Sequence, residues 1–92
     1  MNPNPKWRVE FDVRAAKELR KLAPEVRKKI LLFLKEKIET DLDPRRFGKA
    51  LQANLAGLWR YRVEDYRIIC MIRDDRLLVL ALKIGHRRDI YR

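Results

Sequence analysis

The stretch from Leu58 to Ile84 restricts the fold more than any other part of the sequence. It divides into three runs of branched and aromatic residues, separated by the acidic pairs Glu64-Asp65 and Asp74-Asp75. Such runs are typical of β-strands, and a short polar break between them is typical of a tight turn. The predicted strands of this antiparallel meander are Leu58–Val63, Tyr66–Arg73 and Arg76–Ile84. The continuously apolar segment Leu77–Leu82 makes the last of them a central strand, covered on both faces.

The residues before the meander predict one strand followed by a helical hairpin. Aromatic and branched residues alternate with charged residues from Trp7 to Phe11, as in a half-buried strand. Asp12 is placed to cap a first helix, which should end near Ala23-Pro24 because proline disfavours helical geometry in the residue before it. Pro24 suits the first turn of a second helix, which should run to about Glu39. The predicted buried stripe of that helix is Val26, Ile30, Phe33, Leu34 and Ile38.

Between the helices and the meander, residues 41–57 are rich in turn residues and predict a loop, with a short strand near Lys49–Leu51. The predicted fold class is α+β: a strand, a two-helix hairpin and a three-stranded meander. The helices should pack on one face of the sheet, because the apolar surfaces must cover each other. A chain of 92 residues suffices for one domain of this kind, so residues 1–92 are predicted to form a single domain with residues 1–6 flexible.

The residue types that are missing limit the chemistry open to the chain. It has one cysteine, one histidine and no serine, which excludes a serine triad and the usual ligand sets of zinc. A single cysteine cannot form a disulfide within the chain, which is in keeping with a reducing cytoplasm. The longest apolar run, six residues, is too short for a membrane span, which needs about 20. An enzyme built from this chain is expected to use arginine, lysine, tyrosine, histidine or carboxylate groups, without a metal or other cofactor.

The net charge is +10, and most of it lies in the second half of the chain. Residues 1–44 carry a net charge of +3, and residues 45–92 carry +7. Neutralisation of phosphates by lysine and arginine supplies most of the affinity of proteins for nucleic acids. The charge therefore favours a nucleic-acid partner over a basic surface that merely keeps the protein soluble.

Pairing within the meander brings several arginines together. If Glu64-Asp65 forms the first turn, Arg62 lies opposite Arg67, and Arg60 shares their face of the sheet. Like charges in opposite positions destabilise a sheet, whereas planar guanidinium groups suit bidentate binding of phosphate. We interpret the cluster as a surface that a nucleic-acid backbone neutralises. In the alternative interpretation, the arginines extend into solvent or pair with Glu64, Asp65 or Asp89.

The end of the chain adds further candidates. With Asp74-Asp75 as the second turn, Arg67 should face Leu82, which would bring Ile84 and, if the strand extends, His86 to the arginine face. After the strand, His86 is a candidate for proton transfer near neutral pH, and Arg87 and Arg88 are candidate phosphate donors. Tyr91 is a candidate for stacking on a base or for holding a proton beside cations. A histidine or tyrosine near a C-terminus often has a purely structural role, which is the alternative for both.

Three segments resemble the RelE/ParE toxin superfamily of bacterial and archaeal toxin–antitoxin systems. They are G-L-W-R-Y-R-V at 57–63, D-Y-R-I-I at 65–69 and I-G-H-R-R-D-I-Y-R at 84–92, and A-A-K-E-L-R-K-L at 15–22 agrees with them. The resemblance covers nearly the whole chain and implies the RelE-like microbial ribonuclease-type fold. The RelE branch consists of metal-independent ribonucleases that cleave mRNA in the ribosomal A site. The ParE branch poisons DNA gyrase and is not a nuclease.

The resemblance also implies roles for particular residues. The RelE branch uses basic residues on a strand, matched by Arg60 and Arg62, and two arginines and a tyrosine. The last three are matched by Arg67, Arg87 and Tyr91. Some members carry lysines at the positions of Arg60 and Arg62, and an arginine cannot replace a lysine as a base. Proton transfer would therefore fall to Tyr91 or His86.

The leading hypothesis is an endoribonuclease toxin in which a ribose 2′-OH attacks the adjacent phosphate. Arg67 and Arg87 would stabilise the developing charge, and Arg60, Arg62 and Arg88 would bind the RNA. The alternatives are a ParE-like gyrase poison and a basic nucleic-acid-binding module without catalysis. The implied partners are mRNA, the ribosome and an acidic, RelB-like antitoxin encoded by the neighbouring gene.

Overall fold

The structure is a computed structural model that describes residues 5–91. Its elements are β1 (Arg8–Phe11), α1 (Val13–Lys21), α2 (Pro24–Phe33), β2 (Lys49–Ala50), β3 (Trp59–Val63), β4 (Tyr66–Arg73) and β5 (Leu78–His86). A π-helical turn at Leu34–Ile38 extends α2, and 3₁₀ turns lie at Pro44–Phe47, Ala53–Leu55 and Asp74–Arg76. The strands form one sheet in the order β1-β5-β4-β3-β2, in which β1 runs parallel to β5 and all other neighbours are antiparallel. The predicted α+β class is confirmed, and no helix of the described segment is long and apolar enough to cross a membrane.

The first half of the chain follows the sequence prediction closely. The Asp12 carboxylate accepts a hydrogen bond of 2.8 Å from the backbone N–H of Ala15 and so caps α1. Pro24 is the first residue of α2, as predicted. The second helix was expected to stay α-helical to about Glu39, but it widens after Phe33 into the π-helical turn. Of the predicted flexible residues 1–6, residues 1–4 lie outside the described residues, and the next two are exposed.

The connection between the helices and the meander contains more regular structure than the sequence predicts. The predicted short strand is present as β2, and two 3₁₀ turns flank it. The buried hydroxyl of Tyr61 donates a hydrogen bond of 2.8 Å to the Pro44 carbonyl. The guanidinium of Arg45 binds both carboxylate oxygens of Asp74, at 3.0 and 2.6 Å. These contacts fasten the connection to the sheet.

The second turn of the meander and the strand after it differ from the prediction. The turn has four residues, from Asp74 to Leu77, so that Arg73 pairs with Leu78. Leu77 has a φ of 47°, a left-handed conformation that is uncommon for leucine and could not be predicted from the residue type. Within β5, Leu82 is an extra residue, because Lys83 pairs with β4 one step out of phase with the residues before the bulge. This β-bulge turns the rest of β5 over, which changes the face on which residues 83–86 lie.

The hydrophobic core lies between the helices and one face of the sheet. The predicted stripe of α2 and the π-helical turn is confirmed, since Ile30, Leu34 and Ile38 are buried and the other two residues pack against them. The buried sheet residues beneath the helices are Tyr61, Ile68, Cys70, Val79, Ala81 and Ile84. The last strand is an interior strand, as predicted. On the face of β5 that points away from the helices, Leu78 is buried, whereas Leu80 is only half-buried.

Candidate nucleic-acid interface

One face of the sheet packs on the helices, and the other, which we call the open face, does not. Opposite residues on neighbouring strands share a face, so the register assigns each strand residue to one of the two. On the open face, every charged strand residue except Glu10 is basic. These basic residues are Arg8, Lys49, Arg60, Arg62, Arg67, Arg73 and Lys83. Glu10 contacts Arg8 at 3.2 Å, which leaves the rest of the face strongly positive.

Arg67 is the centre of this positive face. Among the residues that the structure describes, Arg67 is the only charged residue that is buried, with 8% of its surface exposed. Its Nη1 donates hydrogen bonds to the carbonyls of Glu64 and Tyr66, at 2.9 and 3.0 Å. Its pKa lies below the ordinary arginine value, mainly because of burial and then because of neighbouring cations, whereas Tyr91 acts in the opposite direction. The contributing cations are Arg62, Arg60 and Arg87. An anion placed among these groups would relieve their repulsion.

Arg60 gives a second indication that this face suits an anion. Its Nε is buried and has no hydrogen-bond partner within the described residues. A buried donor without a partner costs about 1–3 kcal/mol. A phosphate oxygen is an acceptor of the kind that a guanidinium binds most strongly. The neighbourhood of Arg60 is therefore suited to an anionic ligand.

The residues after β5 fold back over the open face and are anchored there. The backbone N–H of Arg87 donates to the Asp65 carbonyl at 2.7 Å, and its Nε lies 3.7 Å from the Asp65 carboxylate. Ile90 is buried, and a Cβ added to Gly85 would lie 3.4 Å from its Cδ1. Ile90 thus lies close to Gly85, and this contact holds Tyr91 beside the arginines. The anchoring role of Ile90, the one aliphatic residue of this segment, was not predicted from the sequence.

His86 does not lie on the arginine face, contrary to the prediction. Arg67 pairs with Gly85 instead of Leu82, because the turn is two residues longer than expected and the bulge adds one more. A shift of two residues preserves the face, but the single bulge residue reverses it. Ile84 is consequently in the core beneath the helices, and the His86 ring packs edge-on to Tyr66 with ring centres 5.5 Å apart.

The remaining predicted residue, Arg88, is exposed, and its backbone N–H donates to Nδ1 of His86 at 3.2 Å. The acidic residues of the first turn are engaged in different ways. Glu64 binds Lys29 of α2 at 2.7 Å, and Asp65 faces Arg87. The alternative in which the arginines pair with nearby acids therefore applies in part to Arg87.

The structure thus brings five predicted site residues together on the open face: Arg60, Arg62, Arg67, Arg87 and Tyr91. It separates His86 from them. Two lysines that were not predicted as site residues, Lys49 and Lys83, share the open face with the cluster. Lys49 lies opposite Arg60, a pairing that follows only once β2 is in register. Lys83 reaches this face only through the bulge.

Comparison with known proteins gives consistent matches over nearly the whole chain. Residues 9–91 match the family model of the ParE toxin of the type II toxin–antitoxin system parDE. Toxin RelG of Mycobacterium tuberculosis is 34% identical over 86 residues, covering 94% of this chain and 97% of RelG.

The same agreement is found among solved structures. A chain of the toxin–antitoxin complex RelBE2 from Mycobacterium tuberculosis superposes with a TM-score of 0.81 at 30% identity, covering 89% of this chain and 99% of that one. A free double arginine-to-alanine variant of the E. coli toxin RelE superposes with a TM-score of 0.71 at 26% identity, covering 88% of this chain and 83% of that one. The fold, the family model and the curated relative agree, and the chain therefore belongs to the RelE/ParE superfamily of toxins of type II toxin–antitoxin systems.

Proposed function

We propose that this toxin is a ribosome-dependent endoribonuclease that cleaves mRNA in the A site and so inhibits translation. The observation that carries the proposal is the convergence of three further arginines and Tyr91 around Arg67 on the open face. Such a cluster supplies cations for a phosphate and one group that can exchange a proton. The cluster lies on the sheet face away from the helices, and Arg62, Arg87 and Tyr91 are exposed there for contact with an RNA strand.

The proposed reaction is a transesterification. The ribose 2′-oxygen forms a bond to the adjacent phosphorus, and the bond from phosphorus to the 5′-oxygen breaks. The 2′-OH proton passes to a base, and the leaving 5′-oxygen takes up a proton, which yields a 2′,3′-cyclic phosphate and a 5′-OH. Negative charge grows on the phosphate oxygens in the transition state, so cations fixed in advance around them lower the barrier.

The residues of the cluster divide this work according to their chemistry. Arg67 and Arg87 would bind the reacting phosphate and stabilise its developing charge, while Arg60 and Arg62 would hold the RNA backbone. Arginine stays protonated in proteins and cannot serve as the base. Tyr91, whose phenol can donate or accept a proton, is the group in the cluster suited to proton transfer. Because His86 lies on the other face, its proton-transfer role has less support than that of Tyr91, and Arg88 would act as a peripheral RNA contact.

The proposed partner of the toxin is an acidic, RelB-like antitoxin encoded by the neighbouring gene. The solved relatives include toxin–antitoxin complexes from Mycobacterium tuberculosis and E. coli. An open face with basic residues at nearly all of its charged positions favours an anionic partner and accelerates their encounter. The antitoxin would inhibit the toxin by covering the arginine cluster or by displacing the segment that carries Tyr91.

A second candidate function is the poisoning of DNA gyrase. It is favoured by the family model, which describes a ParE toxin. The two functions are separated by giving the purified protein either translating ribosomes with a defined mRNA or gyrase with relaxed plasmid. The proposal predicts cleavage of the mRNA at the A-site codon and undiminished supercoiling. Loss of supercoiling with intact mRNA would support the gyrase poison, and RNA binding without either effect would indicate a non-catalytic module.

A further inference from the structure

A row of basic residues crosses the open face beside the arginine cluster. Lys49 on β2 lies opposite Arg60 on β3, and Arg60 lies opposite Ile69 on β4. Ile69 in turn lies opposite Lys83 on β5. We call these four residues the Ile69 row. The neighbouring row contains Arg62, Arg67 and Gly85, so the two rows lie side by side on one face.

The bulge at Leu82 places Lys83 in this row. Without the extra residue, alternation along β5 would turn Lys83 toward the helices and the core. A charged side chain there would be unfavourable, and the open face would lose one of its cations. Bulges next to active sites often re-aim a side chain in this manner.

The centre of the row is apolar and its flanks are cationic. Ile69 is 4% exposed, although it is not part of the core cluster beneath the helices. Long basic side chains can cover an apolar residue with their alkyl stems while their charged ends stay at the surface. Like charges at the opposed positions of Lys49 and Arg60 repel each other, and the buried Nε of Arg60 has no partner. Both features make a bound anion favourable at this row.

We propose that the Ile69 row binds a second backbone phosphate of the RNA, one nucleotide away from the phosphate held by Arg67 and Arg87. Residues two apart on a strand are separated by about 6.6–6.8 Å, which is the scale of one nucleotide in an extended single strand. Lys83 and Lys49 become RNA contacts in addition to Arg60. This inference rests on the proposed function, because it assumes that the open face binds RNA.

The test compares two trinucleotides of 2′-O-methyl RNA, which lack the 2′-OH and cannot be cleaved. One has two phosphodiester linkages, and in the other one linkage is a neutral methylphosphonate. Equilibrium binding is measured for the wild-type protein and for Lys83→Gln, Lys49→Gln and Lys83→Arg. Lys17→Gln is the matched control, because Lys17 is an exposed lysine of α1, on the helix side of the sheet.

We expect Lys83→Gln and Lys49→Gln each to weaken binding of the doubly charged trinucleotide by about fivefold, the upper end for an exposed ion pair. Binding of the singly charged trinucleotide should stay unchanged, and Lys83→Arg should retain wild-type affinity for both. The inference is overturned if Lys83→Gln leaves both affinities unchanged, weakens both equally, or has no larger effect than Lys17→Gln. If the wild-type protein binds neither trinucleotide, the inference is overturned as well, whereas the proposed function fails only if the wild-type protein does not cleave mRNA on translating ribosomes.

Discussion

Among single residues, Tyr91 is the one on which the proposed proton transfer depends. It is half exposed and lies close enough to Arg67 to affect the pKa of that guanidinium. A phenol beside several cations can transfer a proton or stack on a base, and the two roles respond differently to loss of the hydroxyl. Phenylalanine keeps the ring and therefore the stacking, but it cannot transfer a proton.

We predict that Tyr91→Phe lowers the rate of mRNA cleavage on ribosomes by about 10²–10⁴-fold, the usual contribution of general acid–base catalysis. The measurement is single-turnover cleavage of ribosome-bound mRNA. Tyr66→Phe is the matched control. Tyr66 pairs with His86 and lies on the face of the sheet that packs on the helices. Cleavage by Tyr91→Phe at the wild-type rate would remove Tyr91 from the proton-transfer role.

Arg67 should show a conflict between stability and activity. Its charge is buried among other cations, which lowers its pKa and disfavours the charged form in the folded protein. Replacing a poorly compensated buried charge by an apolar residue of similar size is often neutral or stabilising. We predict that Arg67→Met leaves the free energy of unfolding unchanged or raises it by about 1 kcal/mol, while mRNA cleavage is lost. Urea denaturation and the cleavage assay on the same preparation check this, and a strongly destabilised variant would contradict the account of Arg67.

At the scale of elements, the segment after β5 is held as a unit by one aliphatic side chain. Ile90 packs near Gly85, and Arg87 is bound to Asp65 at the other end of the segment. The two contacts fix Arg87 and Tyr91 relative to the sheet. Since Ile90 is not part of the core cluster beneath the helices, its loss should free the segment without unfolding the domain.

We predict that Ile90→Ala lowers mRNA cleavage at least tenfold and speeds amide hydrogen exchange in residues 86–91, because the segment opens locally. The exchange rates of β4 should change little. Leu32→Ala, at an exposed position of α2, is the control and should affect neither quantity. Faster exchange throughout the sheet would show that Ile90 belongs to the global core.

The meander shows how far the sequence pattern could predict these elements. Polar breaks and residue types predicted β3, β4 and their register through Arg62 and Arg67, because a two-residue turn fixes the pairing. The turn at Asp74 was harder, since Leu77 fits a strand pattern while its backbone is left-handed. The bulge at Leu82 lies in an uninterrupted apolar run, where no change of residue type marks an extra residue. Because the extra residue Leu82 could not be predicted, His86 was assigned to the wrong face and Lys83 was not recognised as an open-face residue.

At the scale of the whole molecule, two buried groups in the core set the response to alkaline pH. Burial raises the pKa of the Tyr61 phenol and of the Cys70 thiol well above their ordinary values. In the unfolded chain these groups lose their protons at about pH 8.5–10, whereas in the folded protein they remain neutral. The unfolded state therefore binds fewer protons above this range, and stability falls as the pH rises.

We predict that the free energy of unfolding is constant near neutral pH and falls from about pH 9 upward. Each group contributes a slope of at most about 1.4 kcal/mol per pH unit. Cys70→Ala should remove the part of the loss that begins at the lower pH, and urea denaturation from pH 7 to 11 measures both. A stability that does not change up to pH 11 would contradict the neutral, buried state of these side chains.

The open face gives the whole molecule its proposed function, and cleavage of mRNA in cells tests that function most directly. The measurement is a map of mRNA 5′ ends after induction of the toxin, compared with induction of Tyr91→Phe. We predict new ends that recur in phase with the reading frame of translated messages, carry a 5′-OH and are lost in the variant. Unchanged 5′ ends in cells whose growth stops, together with broken or relaxed DNA, would contradict this prediction and favour the gyrase poison.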